Sequence, residues 1–173
     1  MSFTAEEIWC YLPGERKESV LPSVLMATWY DGLFPLDAAT LDAESWGKVI
    51  AVREAVGKEL EKLRAAGSIG SSLDAEVDIY GDEEWRVPLA ALHDESRFVL
   101  ITSYARVHGA DSKPVDAQEG AKGLWIRVQP SLHEKCIRCW HHRKDVGIES
   151  DHPQICARCV ENVVGKGEAR RYA

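Results

Sequence analysis

Four of the five cysteines in this chain form two C-x-x-C pairs, and sixteen residues separate the pairs. A C-x-x-C turn directs two sulfur atoms at one ion, so two such turns complete a closed tetrahedral site. Because four cysteines leave no open coordination position, the bound metal is not expected to do chemistry. The spacing therefore predicts one structural zinc ion per chain, with the ligands Cys136, Cys139, Cys156 and Cys159.

Two other uses of these cysteines compete with zinc. Disulfides require an oxidising compartment, which nothing in the sequence indicates. A redox-active C-x-x-C is disfavoured because the motif occurs twice. Three histidines between the pairs are alternative ligands, although a complete cysteine set favours surface or hydrogen-bonding roles for His141, His142 and His152. Cys10 stands alone in the sequence and is expected to be a half-buried free thiol.

The chain has 173 residues, of which 45% are apolar and 28% charged, so a folded protein is expected. No apolar run approaches the roughly 20 residues that span a bilayer, and "SFTAEEIW" lacks the features of a signal peptide. We therefore expect a cytoplasmic protein without membrane contact. The net charge of −7 argues against a surface that binds nucleic acid everywhere. Residues 134–173, however, carry eight Lys or Arg against six Asp or Glu.

Hydrophobic periodicity predicts three helices. Thr4 and Glu7 have the spacing of a capping box that begins a short helix, which "PGE" at 13–15 ends. Residues 20–36 contain Pro22, Gly32 and Pro35 and are expected to form an extended, packed connection. The other two predicted helices are a long one over 43–66, with Asp42 as N-cap and Gly67 as the stop, and one near 83–94 that Pro88 begins or kinks.

Strands are predicted in three places. Residues 73–80 alternate apolar and polar side chains, which is typical of a half-buried strand. The apolar run "RFVLITSYARV" at 97–107 is consistent with a central strand, and "GLWIRVQP" at 123–130 predicts a third. Residues 108–123 have the composition of a surface loop. The expected fold is α+β: N-terminal helices, a long helix and a small three-stranded sheet, followed by a C-terminal four-cysteine zinc finger.

Several motifs resemble bacterial isoleucyl-tRNA synthetases. "KCIRCWHHRKDVG", "HPQICARCVENV" and "GKGEARRYA" are similar to the zinc-finger end of that family, and "SFTAEEIWCYLPGE", "WYDGLF", "GSSLDAEVDIYG" and "DESRFVLITS" to the stretch before it. The resemblance implies three parts: the end of an anticodon-binding helical bundle at 1–40, an α+β junction domain at 41–132, and the finger at 133–173. It also implies two partners, isoleucine tRNA and the remaining domains of a parent synthetase, and a monomer.

The resemblance implies no catalytic residue in this chain. Family members form isoleucyl-adenylate from ATP with HIGH-type and KMSKS-type signatures, and neither signature is present here. We therefore expect a non-catalytic piece of an ATP-dependent isoleucine–tRNA ligase.

The finger of the family lies against the anticodon loop, so the resemblance implies that Arg138 and Trp140 face RNA. Exposed RNA bases are recognised by stacking on aromatic or guanidinium planes and by hydrogen bonds to their edges. The alternative for Trp140 is a lid packed over the zinc site. Weaker candidates, for phosphate contacts, are Arg143, Lys144, Arg170 and Arg171, for which ordinary solvated surface is an equal competitor.

Two other functions stay open. Formamidopyrimidine DNA glycosylases carry a similar finger, but they place a catalytic Pro-Glu directly after the first Met, where this chain has Ser2 and Phe3. A purely structural or protein-interaction zinc module is the other alternative.

Overall fold

The computed structural model describes residues 2–11, 21–29, 31–32 and 41–172. The chain forms two compact units, at 1–37 and 38–173. Within the described residues, no helix is both long enough and apolar enough to span a bilayer.

The first unit contains helix α1 (Ser2–Cys10) and a 3-10 turn, Val24–Met26. The Glu6 carboxylate joins the two by accepting hydrogen bonds from the Ser23 hydroxyl (2.8 Å) and the Val24 amide (3.2 Å). Because α1 already begins at Ser2, Thr4 lies inside the helix and the predicted capping box is wrong.

The predicted connection at 20–36 is only partly described. Leu25 and Trp29 are exposed, so its described part is not the packed segment that was predicted. It also contains the 3-10 turn instead of being extended throughout. The predicted "PGE" stop lies outside the described residues.

The second unit begins with the long helix α2 (Ala43–Ala65), as predicted. The Asp42 side chain accepts a hydrogen bond from the Ser45 amide (2.8 Å), which satisfies one amide of the first turn. Gly67 follows the helix with a φ of +70°, a conformation that glycine adopts at little cost. Both predicted ends of this helix are confirmed to within one residue.

A four-stranded sheet packs against α2. Its strands are β1 (Ala75–Gly81), β2 (Tyr104–Gly109), β3 (Gln118–Ala121) and β4 (Leu124–Pro130), in the order β2-β1-β4-β3. β1 pairs parallel with β2 and antiparallel with β4, and β3 pairs antiparallel with β4. The α+β class is confirmed, but the sheet has four strands where three were predicted.

The segment at 97–107 is not one strand. It divides into helix α4 (Ser96–Leu100), a left-handed residue at Ile101 (φ +57°) and the edge strand β2. An apolar run of this length does not distinguish a buried helix from a strand, and here two short elements share it. The predicted loop at 108–123 contains the additional strand β3. Helix α3 (Glu83–Ala91) ends earlier than predicted and keeps Pro88 inside.

The two faces of β1 differ in character. Val77 and Ile79 point into the core between the sheet and α2, and both are fully buried. Glu76 and Asp78 lie on the opposite face and are nevertheless buried, since β2, β4 and Ser131 surround them. The predicted half-buried strand is therefore buried on both faces, and its carboxylates pair with Arg106 and His108.

Candidate metal centre and the surface around it

The first cysteine pair lies in a turn that follows β4. The Cys136 amide donates to the His141 carbonyl (2.9 Å), and the Trp140 amide donates to the Cys136 carbonyl (2.9 Å), which closes the turn around Cys139. The second pair lies at the start of helix α5 (Ala157–Val164), where Cys156 is the N-cap. Two turns of different local structure thus point their sulfurs at one place.

The four sulfurs fit a tetrahedral zinc site. All four Sγ atoms lie within 4.8 Å of one another. The Cys136–Cys159 and Cys139–Cys156 distances are both 3.7 Å. A Zn–S bond of about 2.3 Å in a regular tetrahedron requires about 3.8 Å between sulfurs. The residues present therefore match zinc in donor type, number and spacing.

The thiol pKa values show why a cation suits this cluster. The hydrogen bond with the Cys156 thiol lowers the pKa of Cys139 far below its usual range, and the same contact raises the pKa of Cys156. Burial raises the pKa of Cys159. Sulfurs this close cannot all carry negative charge by themselves, whereas a divalent ion stabilises four thiolates together. The donor set leaves no open position for substrate, so the metal's role is structural.

The histidines and the remaining cysteine lie outside this cluster. The His141 ring is buried, with Nδ1 3.2 Å from the Cys139 carbonyl, and His142 Nδ1 donates to the His133 carbonyl (2.7 Å). Cys10 is a free thiol that is exposed on α1, so the predicted half-buried position is wrong. Among the described residues, the one group of cysteines, histidines and carboxylates with metal-binding geometry consists of the four predicted cysteines.

Trp140 is 61% exposed and has a φ of +64°. The partly buried aliphatic side chains that pack against the cysteine cluster are Val146 and Ile155. A left-handed conformation is uncommon for a bulky residue, and its cost must be met by the surrounding structure.

Arg138 is exposed on the same turn, and its Nη1 lies 3.6 Å from Cys159 Sγ. A guanidinium has five N–H donors, so this contact leaves most of them available. Arg138 therefore joins the metal site to the surface that carries Trp140.

The four weaker RNA candidates differ in how firmly they are held. The Arg143 guanidinium lies 4.1 Å from the Tyr104 ring centre and donates to the Ser103 carbonyl (3.3 Å). Arg170 lies over the Phe98 ring (4.1 Å) and pairs with Glu168 (2.7 Å). Lys144 and Arg171 are exposed. Their backbone amides donate to the Tyr104 hydroxyl and to the Glu95 carboxylate, respectively.

The structure also shows a cluster of residues that no sequence pattern predicted. Phe98 of α4 is surrounded by the guanidiniums of Arg97, Arg158 and Arg170, at 4.1, 5.0 and 4.1 Å from the ring centre. Burial lowers the pKa of Arg158, but hydrogen bonding to Cys139 and the charge of Glu168 outweigh it, so the pKa is raised. No local sequence signal identifies Phe98, because about sixty residues separate it from Arg158.

The fold and the cysteine geometry define an α+β protein that carries a four-cysteine zinc finger. Residues 134–162 match the family described as "Zinc finger found in FPG and IleRS". Over its whole length the chain is similar to isoleucine–tRNA ligases: 57% identical to that of Thioalkalivibrio sulfidiphilus, 54% to that of Nitrosococcus oceani and 52% to that of Halorhodospira halophila. The chain is similar over its whole length to the C-terminal region of these isoleucine–tRNA ligases and spans 18% of their length.

Proposed function

We propose that this chain is the tRNA-binding C-terminal module of an isoleucine–tRNA ligase and that its zinc finger contacts the anticodon loop. The similarity over the full chain to proteins of that name supports the assignment. The partners are isoleucine tRNA and the remaining domains of the parent enzyme, which acts as a monomer in the cytoplasm.

The observation that carries the proposal is the placement of Trp140. Its ring is mostly exposed beside a metal-fixed turn, and its backbone is held in a conformation that would suit glycine better. A side chain kept at such a position has a use there other than packing. An exposed aromatic ring on rigid backbone is suited to stack on an unpaired RNA base.

Arg138 complements the exposed ring of Trp140. One of its nitrogens contacts Cys159, which restricts the side chain before RNA arrives. The other donors are suited to the edge of a base next to the one stacked on Trp140. We assign base discrimination to Arg138 and stacking to Trp140.

The four candidates for phosphate contacts differ in how available their side chains are to RNA. Lys144 and Arg171 have exposed side chains, so they are the first candidates. Arg143 and Arg170 already hold protein partners and contribute less. These cations contact RNA of any sequence and position the loop without reading it.

The chain has no catalytic centre of its own in this proposal. Amino-acid activation with ATP belongs to the other domains of the parent ligase, and the zinc of this module supports RNA binding structurally.

A finger of DNA glycosylase type remains the second candidate because the matching family includes both kinds of protein. The similarity of the residues before 134 to isoleucine–tRNA ligases favours the RNA function. A protein-interaction module is the third candidate.

The test compares three probes on the zinc-loaded chain: isoleucine tRNA, a non-cognate tRNA and duplex DNA with an oxidised base. Tightest binding to isoleucine tRNA supports the proposal, and preference for the damaged duplex would support the glycosylase reading. Absence of binding to all three would contradict an independent nucleic-acid role for this module.

A further inference from the structure

We infer that Ser103 is a positioning residue that fixes the orientation of Trp140. The biological meaning of this role rests on the proposed function, whereas the contacts of Ser103 do not depend on that function. Ser103 lies between α4 and β2 and is fully buried, whereas Trp140 is exposed on the finger.

The Ser103 hydroxyl connects three parts of the chain. It donates to the Leu73 carbonyl just before β1, and it accepts a hydrogen bond from the His142 amide (2.6 Å). The Ser103 amide donates to the Ala75 carbonyl (2.9 Å) at the start of β1. The backbone two residues beyond Trp140 is thereby tied to the central strand of the sheet.

Neighbouring contacts hold the same stretch. Arg143 donates to the Ser103 carbonyl and stacks on Tyr104, and the Lys144 amide donates to the Tyr104 hydroxyl (3.2 Å). The ring of His141 meets Phe98 edge-on, with 5.7 Å between ring centres. Each of the residues 141–144 therefore contacts α4, Ser103 or the first residue of β2.

The backbone next to both partners of the Ser103–His142 hydrogen bond is strained. Ile101 lies two residues before Ser103, and Trp140 lies two residues before His142. Both have positive φ angles. β-branched and bulky residues rarely adopt this conformation, and they keep it only where surrounding contacts determine it. Zinc fixes the chain before Trp140, at Cys139, and Ser103 fixes it after Trp140, at His142.

Loss of the hydroxyl would leave the His142 amide and the Leu73 carbonyl without this partner. Buried polar groups left unpaired are costly, so the stretch after Trp140 would shift to find others. The sulfur ligands would stay in place, because the metal holds them. The expected effect is a change in Trp140 without loss of zinc.

The experiment follows Trp140 directly. The chain is labelled with 5-fluorotryptophan, and the ¹⁹F signal of Trp140 is assigned by its absence in Trp140→Phe. Ser103→Ala should bind one zinc, keep the other five tryptophan signals and shift, split or broaden that of Trp140. Ser96→Ala is the matched control: this serine is also buried, but its hydroxyl donates to the His93 carbonyl in the turn just before α4. It should leave the Trp140 signal unchanged.

An unchanged Trp140 signal in folded Ser103→Ala protein would overturn the inference. If Ser103→Ala does not fold, Tyr104→Phe decides it, since this change removes only the hydroxyl that accepts from the Lys144 amide. A change in the ¹⁹F signal of Trp140 then supports the inference, and an unchanged signal refutes it.

A second readout separates this inference from the proposed function. Ser103→Ala should weaken binding of the isoleucine anticodon stem–loop by about tenfold, equivalent to about 1.4 kcal/mol. If the unaltered chain binds no RNA while the ¹⁹F signal still responds to Ser103→Ala, the positioning role stands and the RNA function falls.

Discussion

The Nη1 atom of Arg138 lies 3.6 Å from Cys159 Sγ, so the side chain proposed to read a base also donates to a sulfur of the metal site. Groups that hydrogen bond to metal ligands commonly change metal affinity by about 10–100-fold when removed. In the proposed function, base recognition and metal retention therefore share one residue.

We predict that Arg138→Ala keeps one zinc per chain at micromolar concentrations but weakens zinc affinity by about tenfold. Discrimination among anticodon bases should be lost in the same variant. Chelator competition measures the affinity, and Lys144→Ala, an exposed cation on the same segment, is the control. Equal zinc affinity in both variants would show that the contact with Cys159 contributes nothing to the metal site.

Trp140→Gly should retain zinc and lose RNA affinity by about 10–100-fold, because stacking of one base on an aromatic ring contributes about 1–3 kcal/mol. The free energy of unfolding should not fall, since glycine adopts the left-handed backbone without the strain of about 1–2 kcal/mol that other residues carry. Trp140→Ala keeps that strain and serves as the comparison. Release of zinc with intact RNA affinity would identify Trp140 as a lid.

One zinc ion per chain is expected in metal analysis, and the double change Cys139→Ala and Cys156→Ala should abolish it. Zinc binding is worth about 10–16 kcal/mol in finger peptides, and the short cysteine segment has few apolar residues of its own. Metal removal should therefore release amide protection in residues 134–165 while β1 and β4 stay protected. Hydrogen exchange measures this, and a simultaneous loss of protection in the sheet would contradict it.

Glu76 should make stability depend on pH in the acid range. Burial raises its pKa, but hydrogen bonds from Ser131 and Arg106 outweigh burial, so the pKa falls below the ordinary value of 4.5. A carboxylate with a depressed native pKa contributes stability above its unfolded pKa. That contribution is lost as the pH falls below about 4.5 and through the native value.

We accordingly expect Glu76→Gln to reduce the free energy of unfolding by about 1–2 kcal/mol at pH 7, because Arg106 loses a hydrogen-bonded charge in a partly screened setting. The difference from the unaltered protein should shrink toward pH 3. Urea denaturation at several pH values measures it, with the exposed Glu61→Gln as control. A difference that does not change with pH would assign the effect to packing instead of charge.

The chain alone should form no isoleucyl-adenylate, because the HIGH-type and KMSKS-type signatures of the family are absent from its sequence. Pyrophosphate exchange with isoleucine and ATP is the measurement. Activity above that of a heat-treated sample would refute the proposal that this module is non-catalytic.

Local patterns in the sequence determined the elements that local physics controls. The cysteine spacing predicted a set of four residues that the fold brings together, because each C-x-x-C turn carries half of the geometry within itself. The extent of α2 followed from its periodicity, Asp42 and Gly67, and the extent of β4 from its alternation and Pro130.

The tertiary structure decided what depends on contacts distant in sequence. Residues 97–107 became a helix, a left-handed turn and an edge strand because Ser103 pairs with Ala75 and with His142, which lie 28 and 39 positions away. β3 forms because β4 offers it an edge, and Glu76 is buried because Arg106 and Ser131 satisfy its charge. Such pairings have no local periodicity, since each partner gains its hydrogen bond only after the chain has folded.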